Sequence, residues 1–167
     1  MAMASSGTAT VTLPADEQIL ITREFDAPRH LVYKAWTTPE LVKQWWHANR
    51  GEVTVAEIDL RVGGTWRYVA IADGDFEVAF HGEFREIVPD ERLVTTEVYE
   101  MPDAPPLAPE DEPLNIVTFT EVDGRTTLEI LVQTTTKELR DLIIGSGMEG
   151  GMQEAMDRLE EVAVTLR

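Results

Sequence analysis

The chain has 167 residues, 14 of them Lys or Arg against 31 Asp or Glu, for a net charge of −17, and it has no cysteine. That length fits one domain with a self-sufficient core. The acidity excludes nucleic acid and anionic membrane as partners, since each needs a basic face, and the missing cysteine excludes a disulfide framework, a thiolate zinc site and a thiol nucleophile.

The apolar runs fall far short of the ~18 residues of a membrane span. Met1 to Asp16 has neither a basic nor an apolar signal region. A dissolved, cytoplasmic protein is expected. Residues 1–17, rich in Ala, Ser, Thr and Gly, predict a disordered tail ahead of one domain over 18–167. Ile19 to Phe25 is rich in β-formers and predicts a strand. Asp26-Ala27-Pro28 opens a helix with Leu31, Val32, Ala35 and Trp36 on one face. Thr38 as cap and Pro39 at the first helical position open a second, with Leu41, Val42, Trp45 and Trp46 as its apolar side.

From Gly51 the hydrophobic period changes to two. Segments 52–59, 64–72, 76–87, 92–99, 114–122 and 126–134 read as strands joined by turn residues. Residues 100–113 are crowded with prolines and acids and predict an extended loop. Thr135 and Glu138 have capping-box spacing, ahead of a short apolar face of Leu139, Leu142 and Ile143. Gly145 and Gly147 mark a break before a long amphipathic helix over 148–166.

The expected fold is α+β: a seven-stranded curved antiparallel sheet gripping the long C-terminal helix, with the two short helices plugging one end of the gap. Alternate connections of a meander share an end. The tight turns therefore lie at one end, and the 100–113 loop hangs over the other as a lid.

Several blocks occur in an order seen in one family: Phe25-Asp26-Ala27-Pro28, Ala35-Trp36-Thr37-Thr38-Pro39-Glu40-Leu41, Gln44-Trp45-Trp46, Asp59-Leu60-Arg61-Val62-Gly63-Gly64, Ser146-Gly147-Met148-Glu149-Gly150-Gly151-Met152 and Asp157-Arg158-Leu159. Over residues 19–166 the chain resembles the bacterial single-domain relatives of the activator of Hsp90 ATPase, within the START-like (SRPBCC) superfamily. The resemblance implies the helix-grip, Bet v 1-like fold and a deep apolar cavity between sheet and long helix. In one departure, His47-Ala48 stands where the family commonly has Gly-Pro.

Gly145, Gly147 and Gly150 spell the dinucleotide fingerprint, but no second strand follows to complete a βαβ unit. Those glycines and Gly151 read either as close packing or as room for a ligand. Met148, Met152 and Met156 repeat every four residues with Leu159, a stripe that suits a core or an adaptable pocket wall. The aromatic residues Trp36, Trp46 and Phe76 offer the same two readings. As cavity-lining residues we single out Trp45, Trp66, Tyr68, Phe80, Phe84, Tyr99 and Phe119, with Met148 and Met152 from the last helix.

His30, His47 and His81 lack ligand spacing, so no metal is expected. His81 alternates with Phe80 and Phe84 and should point outward. Ser146 has no activating neighbours. Glu97 shares a strand face with Leu93, Thr95 and Tyr99. It reads as an edge-exposed acid, with a pocket base as the alternative. Arg61 and Arg67 are expected in salt bridges. No catalytic residue and no cofactor is assigned. The leading reading is binding of a small hydrophobic, lipid-like or aromatic ligand. Its rivals are a cyclase or hydrolase using polar cavity residues and an Hsp90-activator-like co-chaperone module. A chaperone partner and a homodimer stay open.

Overall fold

The change of hydrophobic period at Gly51 is the boundary on which the architecture turns. The computed structural model describes residues 9–47, 51–72, 76–100, 108–146 and 148–167. It runs β1 (Thr10–Thr12), β2 (Gln18–Phe25), α1 (Arg29–Thr37), α2 (Pro39–Trp45), β3 (Gly51–Ile58), β4 (Thr65–Ala72), β5 (Phe76–Val88), β6 (Arg92–Thr96), β7 (Val98–Tyr99), β8 (Leu114–Val122), β9 (Arg125–Gln133), α3 (Lys137–Gly145) and α4 (Met148–Thr165). All strand pairs are antiparallel, in the order β1-β2-β9-β8-β6-β5-β4-β3, with β7 on β5. The first long strand closes beside the last one, and α1 and α2 pack on α4.

Among the described residues there are nine strands rather than the seven expected, for two reasons. Residues 10–12, expected within a disordered tail, pair with Leu20–Thr22 as an edge strand. Ala9 is buried there, exchanging hydrogen bonds with the Gln153 side chain at 2.9 and 2.8 Å. The expected 92–99 strand breaks at Glu97, because β5 bends. Its pairing register with β6 shifts between Phe84 and Glu86, and β7 then pairs farther along β5. The expected lid over 100–113 holds a short 3-10 turn at Pro109–Asp111, while residues 101–107 lie outside the described residues, as do the turn at 73–75 and Gly147.

Local signals are mostly displaced by a residue or two. The first helix is capped at Pro28, not Asp26, and Thr38 makes no side-chain cap. The cap of α3 is Thr136, whose hydroxyl accepts the Leu139 N–H at 3.1 Å, rather than Thr135; such a cap stabilises by about 1 kcal/mol. Leu142 turns to solvent instead of completing an apolar face.

The inward face of β2 carries Ile19, Ile21, Arg23 and Phe25, all buried. The apolar members meet Leu128, Ile130 and Val132 of β9, Val117 and Phe119 of β8, and Met156, Leu159, Val162 and Ala163 of α4 in one core. No helix of the described residues is long and apolar enough to cross a membrane.

Candidate functional site

The face of the sheet that grips α4 is not uniformly filled. Under β2, β8 and β9 the packing is solid: Ile19, Phe25, Phe119, Leu128 and Leu159 are at most 1 % exposed. Under β3, β4 and β5 the buried Trp66 and Phe84 stand among apolar side chains that are only partly buried. Ala56, Ile58, Tyr68 and Phe80 come from the sheet, Trp46 from the end of α2, Ile143 and Ile144 from α3, and Met148, Met152 and Ala155 from α4. The methionine stripe follows this gradient. Met148 and Met152 belong to the looser half, while Met156 and Leu159 sit in the solid one.

Aromatic rings line the looser half. Trp46 stands edge-on to Tyr68 at 5.4 Å and to Phe80 at 5.9 Å; Trp66 lies 4.8 Å from Tyr68; and Phe80 stacks on Tyr99 at 5.0 Å. Tyr99 closes the rim and is 43 % exposed. Among the predicted lining residues, ring contacts join Trp66 to Tyr68 and Phe80 to Tyr99, while Met148 and Met152 are partly buried against the core. Trp45 and Phe119 make their contacts elsewhere. The Trp45 indole donates to the Ala35 carbonyl at 2.9 Å and stacks on Trp36, and Phe119 is held by Tyr33 and Trp36. Both are anchors between α1, α2 and β8. Phe84 is likewise buried in the continuous core.

Polar groups interrupt this apolar wall. Trp66 is 7 % exposed, and its Nε1 is buried without a hydrogen-bond partner; so is Asn115 Oδ1. Glu97 is half-buried beside them rather than edge-exposed. Burial pushes its carboxyl above the ordinary value, while a hydrogen bond from the Asn115 side chain works the other way. Burial also pushes the Tyr68 phenol well up, and the charge of Glu97 adds to that. No cation pairs with Glu97 among the described residues. A buried acid with a raised pKa binds protons more readily folded than unfolded, so its ionisation removes stability as pH rises above 4.5. Glu97→Gln should therefore be more stable than wild type at neutral pH, with the gain vanishing toward pH 4 in urea unfolding. A gain constant across that range would contradict the assignment.

The outer face behaves differently. His81 points outward as expected, its Nδ1 2.8 Å from Glu100 Oε2, and Arg67 holds the same carboxylate at 2.9 and 3.0 Å. The Arg67 hydrogen bonds hold the Glu100 carboxyl below the ordinary range. Arg61 pairs with Asp59 at 2.8 Å. An open groove of about 250 Å³ on this side is lined by Thr65, His81, Glu83, Arg85, Thr96 and Glu112. Its charged walls already satisfy one another in part, Arg85 donating to Glu83 at 2.7 Å. No cluster of metal-ligating side chains occurs among the described residues.

Residues 26–163 match the family described as activator of Hsp90 ATPase homolog 1-like protein. The chain belongs to this family. Solved structures show the same fold. A protein from Rhodobacter sphaeroides matches with a TM-score of 0.83 at 24 % identity, over 96 % of this chain and 100 % of that one. A protein from Mycobacterium smegmatis matches with a TM-score of 0.81 at 22 % identity, over 93 % and 96 %. A solution structure from Arthrobacter aurescens matches with a TM-score of 0.81 at 21 % identity, over 93 % and 91 %. None of the curated proteins matches the sequence.

As a member of the Hsp90-activator-homologue family, the chain has the helix-grip architecture that its sequence blocks imply. Its departure at His47 is structurally defined: His47 has φ 53°, in the left-handed region that glycine enters without strain. Two residues of the looser half escape a reading of the sequence. Asn115 shares its strand face with Val117 and Phe119, so strict alternation already turns it inward. Trp46 looks like a partner of Trp45 on one apolar side, yet adjacent helix positions face different ways. Trp45 turns into α1, and Trp46 into the gap.

Proposed function

We propose that the chain binds a small apolar ligand, lipid-like or aromatic, between the β3–β5 half of the sheet and the first turns of α4. The observation that carries this reading is the uneven packing of the gap. Close-packed interiors are the rule in folded domains, and the half under β2, β8 and β9 obeys it. The other half presents partly buried apolar side chains from several different elements, Trp46, Tyr68, Phe80, Met148 and Met152 among them, beside the buried Trp66. An apolar wall with few polar groups is the usual composition of a small-molecule site. Methionines at its helical wall suit a ligand of variable shape. Membership of a superfamily rich in cavity-binding proteins supports the same reading.

Titration of fatty acids, flavonoids and sterols against tryptophan fluorescence is the test, with calorimetry as a second readout. Trp46 and Trp66 stand in the site, so occupancy should change their emission. Met152→Trp fills the gap from the helix side. It should weaken binding about tenfold or more, roughly 1.4 kcal/mol, while the protein still unfolds cooperatively. No binding by the wild-type protein to any member of the panel would remove this reading.

A further inference from the structure

We infer that the bound ligand carries an uncharged hydroxyl group, seated among Trp66, Tyr68, Glu97 and Asn115 inside the gap. This rests on the binding site proposed above and specifies which apolar molecules it selects. The four residues form one polar island. The Trp66 and Tyr68 rings are 4.8 Å apart. Tyr68 lies close enough to Glu97 for its charge to act on the phenol, and Asn115 hydrogen-bonds Glu97. Two atoms of this island lack partners although both are buried: a donor, Trp66 Nε1, and an acceptor, Asn115 Oδ1. Buried polar atoms are nearly always paired, so each such exception calls for a partner, an ordered water or a polar group of a ligand.

The chemistry of the island excludes the other head groups. A hydrocarbon leaves both orphan atoms unmet and displaces any water that would serve them. An ammonium has no lone pair for the indole N–H. A carboxylate accepts from Trp66 but offers nothing to Asn115 Oδ1, and it stands beside Glu97, which has no cation among the described residues to offset a second negative charge. A hydroxyl accepts from Trp66 and donates to Asn115. The surrounding rings of Trp46, Tyr68 and Phe80 hold its apolar body.

Four probes on one ring frame test this at neutral pH by calorimetry: naphthalene, naphthol, naphthoate and naphthylmethylamine. Naphthol should bind about tenfold tighter than naphthalene, as two net hydrogen bonds allow, and tighter than either charged probe by at least about as much. Trp66→Phe and Asn115→Leu should each erase most of the naphthol advantage, read as the ratio of naphthol to naphthalene affinity within the same variant. Glu97→Gln should bring naphthoate closer to naphthol. Equal affinities for naphthol and naphthalene, tightest binding by either charged probe, or a hydroxyl advantage that survives both substitutions overturns the inference. If a variant fails to fold, the ranking of the four probes by the wild-type protein decides alone. Naphthalene separates the two levels: if it binds and naphthol shows no advantage, the site stands and the hydroxyl subsite falls. If none of the four binds, the hydroxyl subsite falls, and the panel of fatty acids, flavonoids and sterols decides the site.

Discussion

Replacing Gly82 by alanine should cost about 3 kcal/mol or more, near the upper end of what overpacking costs. Gly82 lies on β5, opposite Trp66 of β4 and two residues before the bend at Phe84–Glu86. A methyl group there would run into the Thr96 carbonyl oxygen and would stand 2.6 Å from Trp66 Nε1 and 2.8 Å from the Thr96 carbonyl carbon. The obstacle is backbone, which cannot rotate aside as a side chain can. Relief would require moving β6 off β5, and with it the Thr96 hydroxyl that accepts the Glu83 N–H at 2.9 Å. Gly145 is the internal control. It ends α3, and a methyl group added there would meet nothing within 4 Å, so Gly145→Ala should be neutral or stabilise by about 0.5–1 kcal/mol through helix propensity. Urea unfolding of the two variants should place them on opposite sides of wild type, or Gly145→Ala level with it. A Gly82→Ala protein within about 0.5 kcal/mol of wild type, below the cost of any overpacked core, would mean that the bend relaxes freely.

That bend also marks the limit of what residue order makes legible. Period and turn chemistry locate every long strand and both short helices, since each side chain's face follows from its parity along β3 to β9. Parity even turns Glu97 inward, on the face of Leu93 and Thr95. The expectation of an exposed acid comes from the general rarity of buried carboxylates, and the local pattern prevails over it. The break of the 92–99 strand has no such signal. It follows from a register shift between Phe84 and Glu86 in a different strand, which is a property of the folded sheet. Three residues at 10–12 are too few to establish a period; their strand exists because the free edge of β2 accepts them and Gln153 of α4 reaches Ala9. In the site, the aromatic residues are visible as a set. Which of them are close-packed depends on helix phase: of Trp45 and Trp46, adjacent in sequence, the first is buried in the core and the second is partly buried against Tyr68 and Phe80. Asn115 is concealed by its type, because an asparagine within an apolar strand draws no notice until its oxygen is found without a donor.

Arg23→Ala should cost about 4 kcal/mol, the range seen when one partner of a buried ion pair is removed. Arg23 occupies a core position of β2 between Ile21 and Phe25 and is 2 % exposed. Its guanidinium donates to Asp157 Oδ1 at 2.7 Å and to the Glu24 carbonyl at 3.1 Å, with Glu160 Oε1 at 3.5 Å, and its central carbon lies 4.7 Å from the Phe25 ring centroid. Glu160 in turn accepts the Asp26 N–H at 2.8 Å. One side chain thus ties the strand, the start of the α1 connection and the second half of α4 together. Truncation removes the packing of the alkyl stem as well as the charge. The burden is unequal between partners: Asp157 is half exposed, so water can solvate its carboxylate once Arg23 is gone, whereas Asp157→Asn leaves the buried Arg23 charge with Glu160 alone at 3.5 Å and should cost about 3 kcal/mol. Arg23→Lys should recover less than half of the alanine loss, because an ammonium cannot bridge two carboxylates and a carbonyl in the planar fork geometry. High salt should leave the Arg23 contribution largely intact, since a buried pair is poorly screened. Chemical unfolding of the three variants at low and high ionic strength measures all of this. A small loss in Arg23→Ala, or one that disappears in salt, would show that the second half of α4 is held by its apolar face alone. The expected result instead gives the helix two unlike halves: the second is bolted to β2 through Arg23, while the first, bearing Met148 and Met152, lies outside the reach of that tie and is held to the edge strand through Gln153.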